Sequence, residues 1–173
     1  WLCDHLETDK KATEIGDALT NLGLELESLT DYSSYSKFVV ATIKDFHKHP
    51  NADRLNICNV DDGTKTYQVI CGANNVKKGL KGIFAKDGMY IPGTQIYLKK
   101  GKIRGEISEG MLLSERELNL SDDHDGIIEL SDNFENGTSA IDALKLNDPV
   151  FEIGITPNRG DCLGVRGVAR DLS

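Results

Sequence analysis

The chain has 173 residues, of which 39% are hydrophobic and 28% charged, a composition typical of a folded globular protein. No apolar run approaches the roughly 18 residues that a membrane helix needs, and the acidic, amphipathic N-terminus does not have the pattern of a secretory signal, so we expect a cytoplasmic protein without a membrane partner. The formal net charge of -8 argues against attraction of the whole chain to nucleic acid.

The first predicted elements are a helix and a strand. Apolar residues recur at helical spacing in residues 8–22, which predicts a helix that Thr8 caps and that Gly23 ends in the left-handed conformation. In LELESL (residues 24–29) leucine alternates with glutamate, which predicts a strand with one buried face. Because the first residue is Trp1 and not Met, we expect a part of a longer chain.

From Phe38 to about Leu130 the sequence consists of short apolar runs separated by turn residues. The runs FVVATI, LNICNV, TYQVIC, GIFA, TQIYL and DGIIEL predict strands, and DDGT between the second and third predicts a hairpin turn. A short helical turn is expected around Ser114 to Leu118. This density of short strands and glycines predicts a small antiparallel barrel or sandwich.

The last segment returns to mixed structure. VFEIGI alternates as a strand, PNRG is a turn, and Asp161 is predicted to cap a helix over LGVRGVARDLS. An economical arrangement has the two chain ends forming one α+β unit, residues 1–36 plus 150–173. Residues 37–149 would then be inserted into it as a closed barrel, because the termini of an inserted domain usually lie close together.

Basic residues concentrate in the middle of the chain. Between Lys37 and Leu113 there are 13 Lys and Arg against 7 Asp and Glu, a net of +6, whereas the remainder carries a net of -14. Such asymmetry indicates a localised polyanion-binding face, although a solvated surface of mixed charge has the same pattern. Two clusters stand out: Lys99, Lys100, Lys102 and Arg104, and a loop cluster of Lys77, Lys78 and Lys81.

The first cluster has the more informative spacing. Lys100, Lys102 and Arg104 alternate, so on an extended strand they would share one face, and flanking glycines would let a phosphodiester chain approach. Lysines also protect exposed strand edges, which is the alternative interpretation. Six aromatic residues lie in the predicted barrel, and because several must be core, we expect recognition by shape and phosphate contact. They are Phe38, Phe46, Tyr67, Phe84, Tyr90 and Tyr97.

Other reactive residues predict no catalytic site and no metal site. His47, His49 and Asp53 could be ligands or an acid–base pair, but nothing completes a site, and a turn that begins a strand is favoured. DDHDG (residues 122–126) lacks the alternating ligands of a calcium loop. The sequence contains no GxSxG, Walker-type or HExxH motif.

The four cysteines are predicted to be reduced and mostly packed in the core. No two of them form a CxxC pair, so we predict no structural zinc site. A catalytic thiol is the alternative for Cys71 or Cys162, although neither has an obvious base nearby in the sequence.

Several motifs taken together resemble a known family. HPNADRL, VICGANNVKKG, KGKIRGEISEGMLLSEREL and DDHDGIIEL resemble the tRNA-binding domain found in the bacterial phenylalanyl-tRNA synthetase β subunit. FEIGITPNRGDCLGVRGVARDLS, directly after it, resembles the β-subunit segment that follows this domain. Together these similarities cover nearly the whole chain.

The resemblance implies a fold and a function. The fold would be mostly β with α: a five-stranded OB-fold barrel inserted into a small, discontinuous α+β domain. The family enzyme is a phenylalanine–tRNA ligase, an α2β2 heterotetramer that uses ATP and magnesium, with its active site in the α subunit. This chain would be non-catalytic and without a cofactor of its own. It would contact tRNA through the two basic clusters and Arg54.

Two further functions are compatible with the residues. The barrel could be a structural module that braces the synthetase assembly, as the acidic ends and the net charge of -8 favour. It could also be a stand-alone tRNA-binding chaperone, but the N-terminal helix and the ITPNR segment argue against this.

Overall fold

The computed structural model describes all residues from Trp1 to Ser173. The chain divides into two compact units, one formed by residues 1–32 and 147–173 and the other by residues 33–146. The predicted domain junctions, at 36/37 and 149/150, lie within a few residues of these divisions. None of the helices is both long enough and apolar enough to cross a membrane.

The helices and strands are numbered in chain order. The α-helices are α1 (Ala12–Asn21), α2 (Ala140–Leu144) and α3 (Val165–Leu172), and 3₁₀ turns occur at Leu2–Asp4, Ser33–Lys37 and Pro157–Cys162. The strands are β1 (Glu25–Thr30), β2 (Val39–His49), β3 (Ala52–Asp61), β4 (Thr66–Cys71), β5 (Lys81–Lys86), β6 (Tyr90–Ile91), β7 (Ile96–Tyr97), β8 (Gly101–Ile103), β9 (Glu106–Ser108), β10 (Gly110–Leu112) and β11 (Val150–Gly154).

The discontinuous unit packs α1 and α3 with an antiparallel pair of strands, β1 and β11. Its core contains Leu19, Leu24 and Cys162. Half-buried apolar residues, among them Phe151 and Ile153, pack against these three. Strand β1 comes from the first part of the chain and β11 from the last, so the two chain ends fold together, as the sequence pattern predicts.

Helix α1 begins later than predicted. Its N-cap is Lys11, whose backbone N–H donates to Glu14 Oε2 at 3.1 Å, so the prediction that Thr8 caps the helix is wrong. The Thr8 hydroxyl instead accepts a hydrogen bond from the Lys10 backbone N–H at 3.2 Å, in the segment before the helix. Gly23 ends the helix with a φ of +79°, as predicted, because only glycine adopts this conformation without a steric cost.

Helix α3 is also not capped as predicted. Gly164 is its N-cap, and no side chain caps it. Asp161, the predicted cap, instead accepts from Arg170 Nη2 at 2.5 Å. Asp161 lies within the 3₁₀ turn Pro157–Cys162, and α3 begins only at Val165, so Asp161 is not at the capping position.

The second unit contains a five-stranded antiparallel sheet with strand order β10-β5-β2-β3-β4. Its edge strand β4 meets the segment before β10, where the Glu109 N–H donates to the Gln68 carbonyl at 2.9 Å and the Ile70 N–H to Ser108 Oγ at 3.1 Å. The sheet thereby closes into the predicted five-stranded barrel. Its interior is filled by alternate residues of the strands, among them Ala41, Ile43, Cys58, Val60, Val69, Phe84 and Leu112.

Gly110 shows why one glycine is required in this barrel. A Cβ atom on Gly110 would lie 2.4 Å from the Phe84 ring and 2.6 Å from the Ala85 carbonyl oxygen. Strand β10 can therefore pass over the Phe84 ring only because residue 110 has no side chain.

Residues 125–130 do not form the predicted strand. Only Leu130 makes a β-bridge, with Lys81, and the Ile127 N–H donates to the Asn75 side-chain oxygen at 2.9 Å. The Ile128 and Leu130 N–H groups donate to the carbonyls of Leu113 and Lys81, which belong to two different segments, so no continuous ladder forms. The expected turn at Ser114–Leu118 is present, with the Leu118 N–H donating to the Ser114 carbonyl at 3.4 Å.

Candidate nucleic-acid interface

The predicted basic segment forms a tight hairpin, β8–β9. Ile103 pairs with Glu106, and the two connecting residues, Arg104 and Gly105, have φ values of 50° and 103°. Two successive left-handed residues are typical of the two-residue hairpin turns that match strand twist. Arg104 therefore lies at the tip. The prediction that it shares a strand face with Lys100 and Lys102 is wrong, because the strand ends at Ile103.

The tip of this hairpin is attached to the turn between β2 and β3. The carbonyl oxygen of Ile103 lies 3.1 Å from His49 Nε2, and Asn51 Nδ2 donates to the Arg104 carbonyl at 3.3 Å. Since a carbonyl can only accept, Nε2 carries the proton, and His49 Nδ1 accepts from the Asn51 N–H at 3.0 Å. Both ring nitrogens are engaged and the residue is only 3% exposed, so neither is available to a metal.

The predicted cations fall into two groups. Some contact a carboxylate or carbonyl oxygen, and the others form no ion pair. Lys100 Nζ lies 2.8 Å from Glu109 Oε1, and Lys77 Nζ lies 2.5 Å from Glu129 Oε2. Lys81 lies in strand β5, not in a loop as predicted, and its ammonium donates to the carbonyl oxygens of Asp132 and Phe134 at 2.9 and 2.5 Å. The other predicted cations are exposed and form no ion pair: Arg54, Lys78, Lys99, Lys102 and Arg104.

We call Lys99, Lys100, Lys102 and Arg104 the basic hairpin. The hydrogen bond from Asn51 connects it to the start of β3, the strand that carries Arg54. The Lys77, Lys78 and Lys81 cluster is not brought to it, because these lysines line a separate depression with Glu129 and Asp132. The structure thus concentrates unpaired positive charge on the basic hairpin and largely neutralises the second cluster.

Glu109 partly neutralises the positive charge at the base of the basic hairpin, because it pairs with Lys100. The hydrogen bond from Lys100, supported by the Gln68 N–H, holds the pKa of Glu109 below its ordinary value. Lys100 and Lys102 line a shallow depression together with Gln68, Glu106 and Glu109. Lys99, Lys102 and Arg104 form no ion pair, so their charges remain available to a polyanion.

Two of the six aromatic residues named from the sequence, Tyr90 and Tyr97, are exposed, which the sequence did not show. Tyr90 and Tyr97 lie opposite each other on strands β6 and β7, with ring centroids 5.2 Å apart, while Phe38 and Phe84 are buried as core. The short apolar runs around both tyrosines are indistinguishable from those of the core strands. The IPG turn between them is the one sequence signal of a separate surface hairpin.

An ion pair with a buried carboxylate also lies in this unit, in the turn between β3 and β4. Asp62 is 1% exposed, and its Oδ2 lies 2.6 Å from Lys86 Nζ. Its Oδ1 accepts from the Thr64 and Lys65 backbone N–H groups at 2.8 and 2.9 Å. Burial opposes the charge on Asp62, but the bonds from Lys86, Thr64 and Lys65 outweigh it, so the pKa of Asp62 lies well below its ordinary value.

The remaining candidate groups support structure and not catalysis. Ligand atoms of Asp161, Cys162 and Asp171 lie within 4.8 Å of one another, but Arg170 Nη2 reaches both carboxylates, at 2.5 and 2.7 Å, and Arg159 also contacts Asp171. Burial raises the pKa of the Cys71 and Cys162 thiols, which is opposite to what a thiolate nucleophile requires. Both groups are thus explained by packing and ion pairing.

The chain is similar in sequence to a known family and to several known proteins. The profile of the family described as "Putative tRNA binding domain" matches residues 38–139. Over its full length the chain is 50% identical to the phenylalanine–tRNA ligase beta subunit of Brucella abortus (strain 2308) and 52% identical to that of Bartonella henselae. It spans about 22% of the length of each. A MetRS-related protein from Pyrococcus horikoshii, 22% identical, aligns with 60% of this chain and 87% of its own at a TM-score of 0.44.

A five-stranded barrel with a basic hairpin in one of its long loops is a nucleic-acid-binding module of the OB class. The family profile covers more than half of the chain. This chain therefore belongs to the tRNA-binding domain family.

Proposed function

We propose that this chain is the tRNA-contacting part of a phenylalanine–tRNA ligase beta subunit, acting in the cytoplasm within an α2β2 assembly. The observation that carries the proposal is the basic hairpin, whose unpaired cations project from a barrel of the tRNA-binding family. Charging of phenylalanine-specific tRNA, with its ATP and magnesium, would take place in the α subunit. This chain would supply an auxiliary contact and no chemistry.

The contact acts through the phosphate backbone. Lys99, Lys102 and Arg104 are exposed and unpaired, so each can neutralise a phosphate and release a condensed counterion. Arg104 also has a guanidinium fork that suits two oxygens of one phosphate. Such contacts position the tRNA without reading its sequence, which fits a site that assists a distant active site.

Titration of the chain with tRNA at several salt concentrations tests the proposal. Between about 50 and 200 mM salt we expect affinity to fall steeply, and replacement of Lys102 or Arg104 by alanine should lower the slope by about one each. Lys77→Ala is the matched control, because Lys77 is already paired with Glu129, and it should leave the slope nearly unchanged. Absence of binding at low salt, or binding indifferent to salt, would contradict the proposal.

A second function is favoured by the discontinuous unit. It leaves the apolar side chains of Trp1, Val150 and Leu163 largely exposed, and exposed apolar surface of this kind is what other parts of an assembly cover. The unit would then be covered by other parts of the ligase, and the chain would brace the assembly. Capture of this chain by the α subunit, without measurable affinity for tRNA, would favour this function over the first.

A further inference from the structure

Tyr90 and Tyr97 are exposed to an extent unusual for paired aromatic residues. They are 45% and 66% exposed, on a hairpin of two residues per strand, with their rings inclined at 57°. Ile96, beside Tyr97, is 54% exposed. Since none of these side chains contributes to the barrel core, they form an apolar surface that packing within this unit does not explain.

Backbone hydrogen bonds fix the hairpin that carries the two rings. Leu98 donates to the Met89 carbonyl at 2.7 Å, Gly88 to the Leu98 carbonyl at 2.8 Å, and Gly93 to the Glu117 carbonyl at 2.9 Å. These bonds anchor the hairpin at its base and at its turn. The backbone that carries the rings is therefore fixed, and a ligand that stacks on them would lose little binding energy in ordering the hairpin.

A depression of about 250 Å³ lies beside the pair. Phe38, Met89 and Pro92 contribute to its apolar wall, Tyr90 and Tyr97 flank it, and the exposed Lys37 is at its rim. A flat apolar face with a cation at its edge has the chemistry that recognises a nucleobase and its adjoining phosphate.

The aromatic pair is connected to the basic hairpin. Lys99 and Lys100 follow Tyr97 directly after Leu98, and the Lys100 N–H donates to Asp87 Oδ1 at 2.6 Å, at the base of the aromatic hairpin. An RNA backbone that lies on the basic hairpin would therefore pass beside the two rings.

We infer that Tyr90 and Tyr97 are a stacking site for one unpaired base of an RNA whose phosphates contact Lys99 and Lys37. The inference rests on the proposed function and narrows its ligand to RNA that presents an unpaired, outward-turned base. A continuous duplex is excluded as the occupant because its base faces are covered by their neighbours in the helix.

Two substitutions at one position test the inference. Tyr97→Leu removes the ring, and Tyr97→Phe keeps it while losing the hydroxyl. The ligands are tRNA, a short unstructured oligonucleotide and a blunt RNA duplex. We expect Tyr97→Leu to weaken binding of the first two on the order of ten-fold with an unchanged salt slope, and to leave the duplex unaffected. Tyr97→Phe should bind like the parent chain.

The ring signals provide a direct readout. The chain contains five tyrosines, so selectively labelled ring protons can be assigned by NMR, and those of Tyr90 and Tyr97 should shift upfield when the oligonucleotide binds. Unchanged affinity of Tyr97→Leu for tRNA and oligonucleotide would overturn the inference while leaving salt-dependent tRNA binding intact. Failure of the parent chain to bind tRNA would instead overturn the proposed function.

A second copy of the chain is the competing occupant of the aromatic surface. Sedimentation of the parent and of Tyr97→Leu in the absence of RNA distinguishes the two. If the parent chain is a dimer and Tyr97→Leu is a monomer, the inference is overturned. If the parent chain and Tyr97→Leu are both monomers, the inference is supported.

Discussion

His49 and Ile103 are joined by a hydrogen bond of 3.1 Å between the histidine Nε2 and the isoleucine carbonyl oxygen, across 54 positions of sequence. The bond fixes the basic hairpin to the turn between β2 and β3 at the point where Arg104 begins its own turn. Because the imidazole is buried and its Nδ1 also accepts from Asn51, the ring acts as a rigid link between two loops. His49, one of the residues considered as a metal ligand from the sequence, thus helps to position the basic hairpin.

His49→Ala should loosen this link. We expect the free energy of unfolding to fall by about 1–3 kcal/mol, because buried polar groups of the two loops lose their partner. Affinity for tRNA should fall as well, since Arg104 is no longer held in place. Urea unfolding and tRNA titration measure the two effects.

His47→Ala is the control for this prediction, because His47 lies on the same strand with an exposed side chain. It should change neither quantity appreciably. Equal losses in the two variants would show that the link between His49 and Ile103 has no special role.

Glu109→Gln should strengthen the interaction with tRNA. The carboxylate pairs with Lys100 at 2.8 Å, and its removal frees that ammonium and deletes a negative charge beside the RNA path. Glutamine keeps an oxygen that can accept from the Gln68 N–H, so the local fold should persist. We expect tighter binding and a steeper salt slope in the same titration.

Substitution of the partner, Lys100, tests the same ion pair from the other side. Lys100→Ala should cost less affinity than Lys102→Ala, because Lys100 is already partly neutralised by Glu109 and Lys102 is not. Equal losses, or a weaker complex with Glu109→Gln, would show that the ion pair does not compete with RNA.

The barrel and the location of its positive charge could be predicted from the sequence. Short alternating runs such as FVVATI and glycine-bearing turns are local signals, and KKGKIR is a local cluster. Which cations are available to a ligand was not predictable. Glu129, for example, lies 52 positions from Lys77, and only the folded chain brings them together.

The errors at helix ends and in the last predicted strand have one physical origin. Thr8, Asp161 and the backbone of Ile127 can each form more than one hydrogen bond, and tertiary neighbours or nearby chain segments decide which forms. Exposure of Tyr97 was unpredictable for a related reason. An aromatic residue in an apolar run is normally core, and only the anchoring of its hairpin outside the barrel leaves it in solvent.

The thiols should differ sharply in reactivity. Cys3 is exposed, whereas Cys58, Cys71 and Cys162 are buried, and burial beside Cys71 raises the pKa of Cys58 to about 12. Under native conditions iodoacetamide should therefore modify Cys3 alone, because the thiolate is the reacting species. Peptide mass spectrometry locates the label, and all four thiols should react in urea. Labelling of native Cys71 as fast as Cys3 would restore the hypothesis of a catalytic thiol.

Asp62→Asn should destabilise the barrel in a manner that depends on pH. The substitution removes the carboxylate that Lys86 faces, and because the lysine is 35% exposed and can be hydrated, we expect a loss of about 1–2 kcal/mol in the free energy of unfolding near neutral pH. Asp61→Asn is the neighbouring control. Asp61 is half-buried and pairs at 3.0 Å with the exposed Lys44, and an asparagine can still accept from the Gly63 N–H, so its replacement should cost less than about 1 kcal/mol.

The pH dependence follows from the sign of the Asp62 shift. Its pKa is lower in the folded chain than the roughly 3.9 of an unfolded aspartate, so the carboxylate stabilises the fold fully above about pH 5. That contribution is lost as the pH falls through the folded pKa, because protonation then removes the charge that Lys86 faces. Urea unfolding of the parent and of Asp62→Asn from about pH 7 to about pH 3 should show the difference between them narrowing toward acid. A constant difference over this range would mean that the Asp62 charge does not provide the stabilisation.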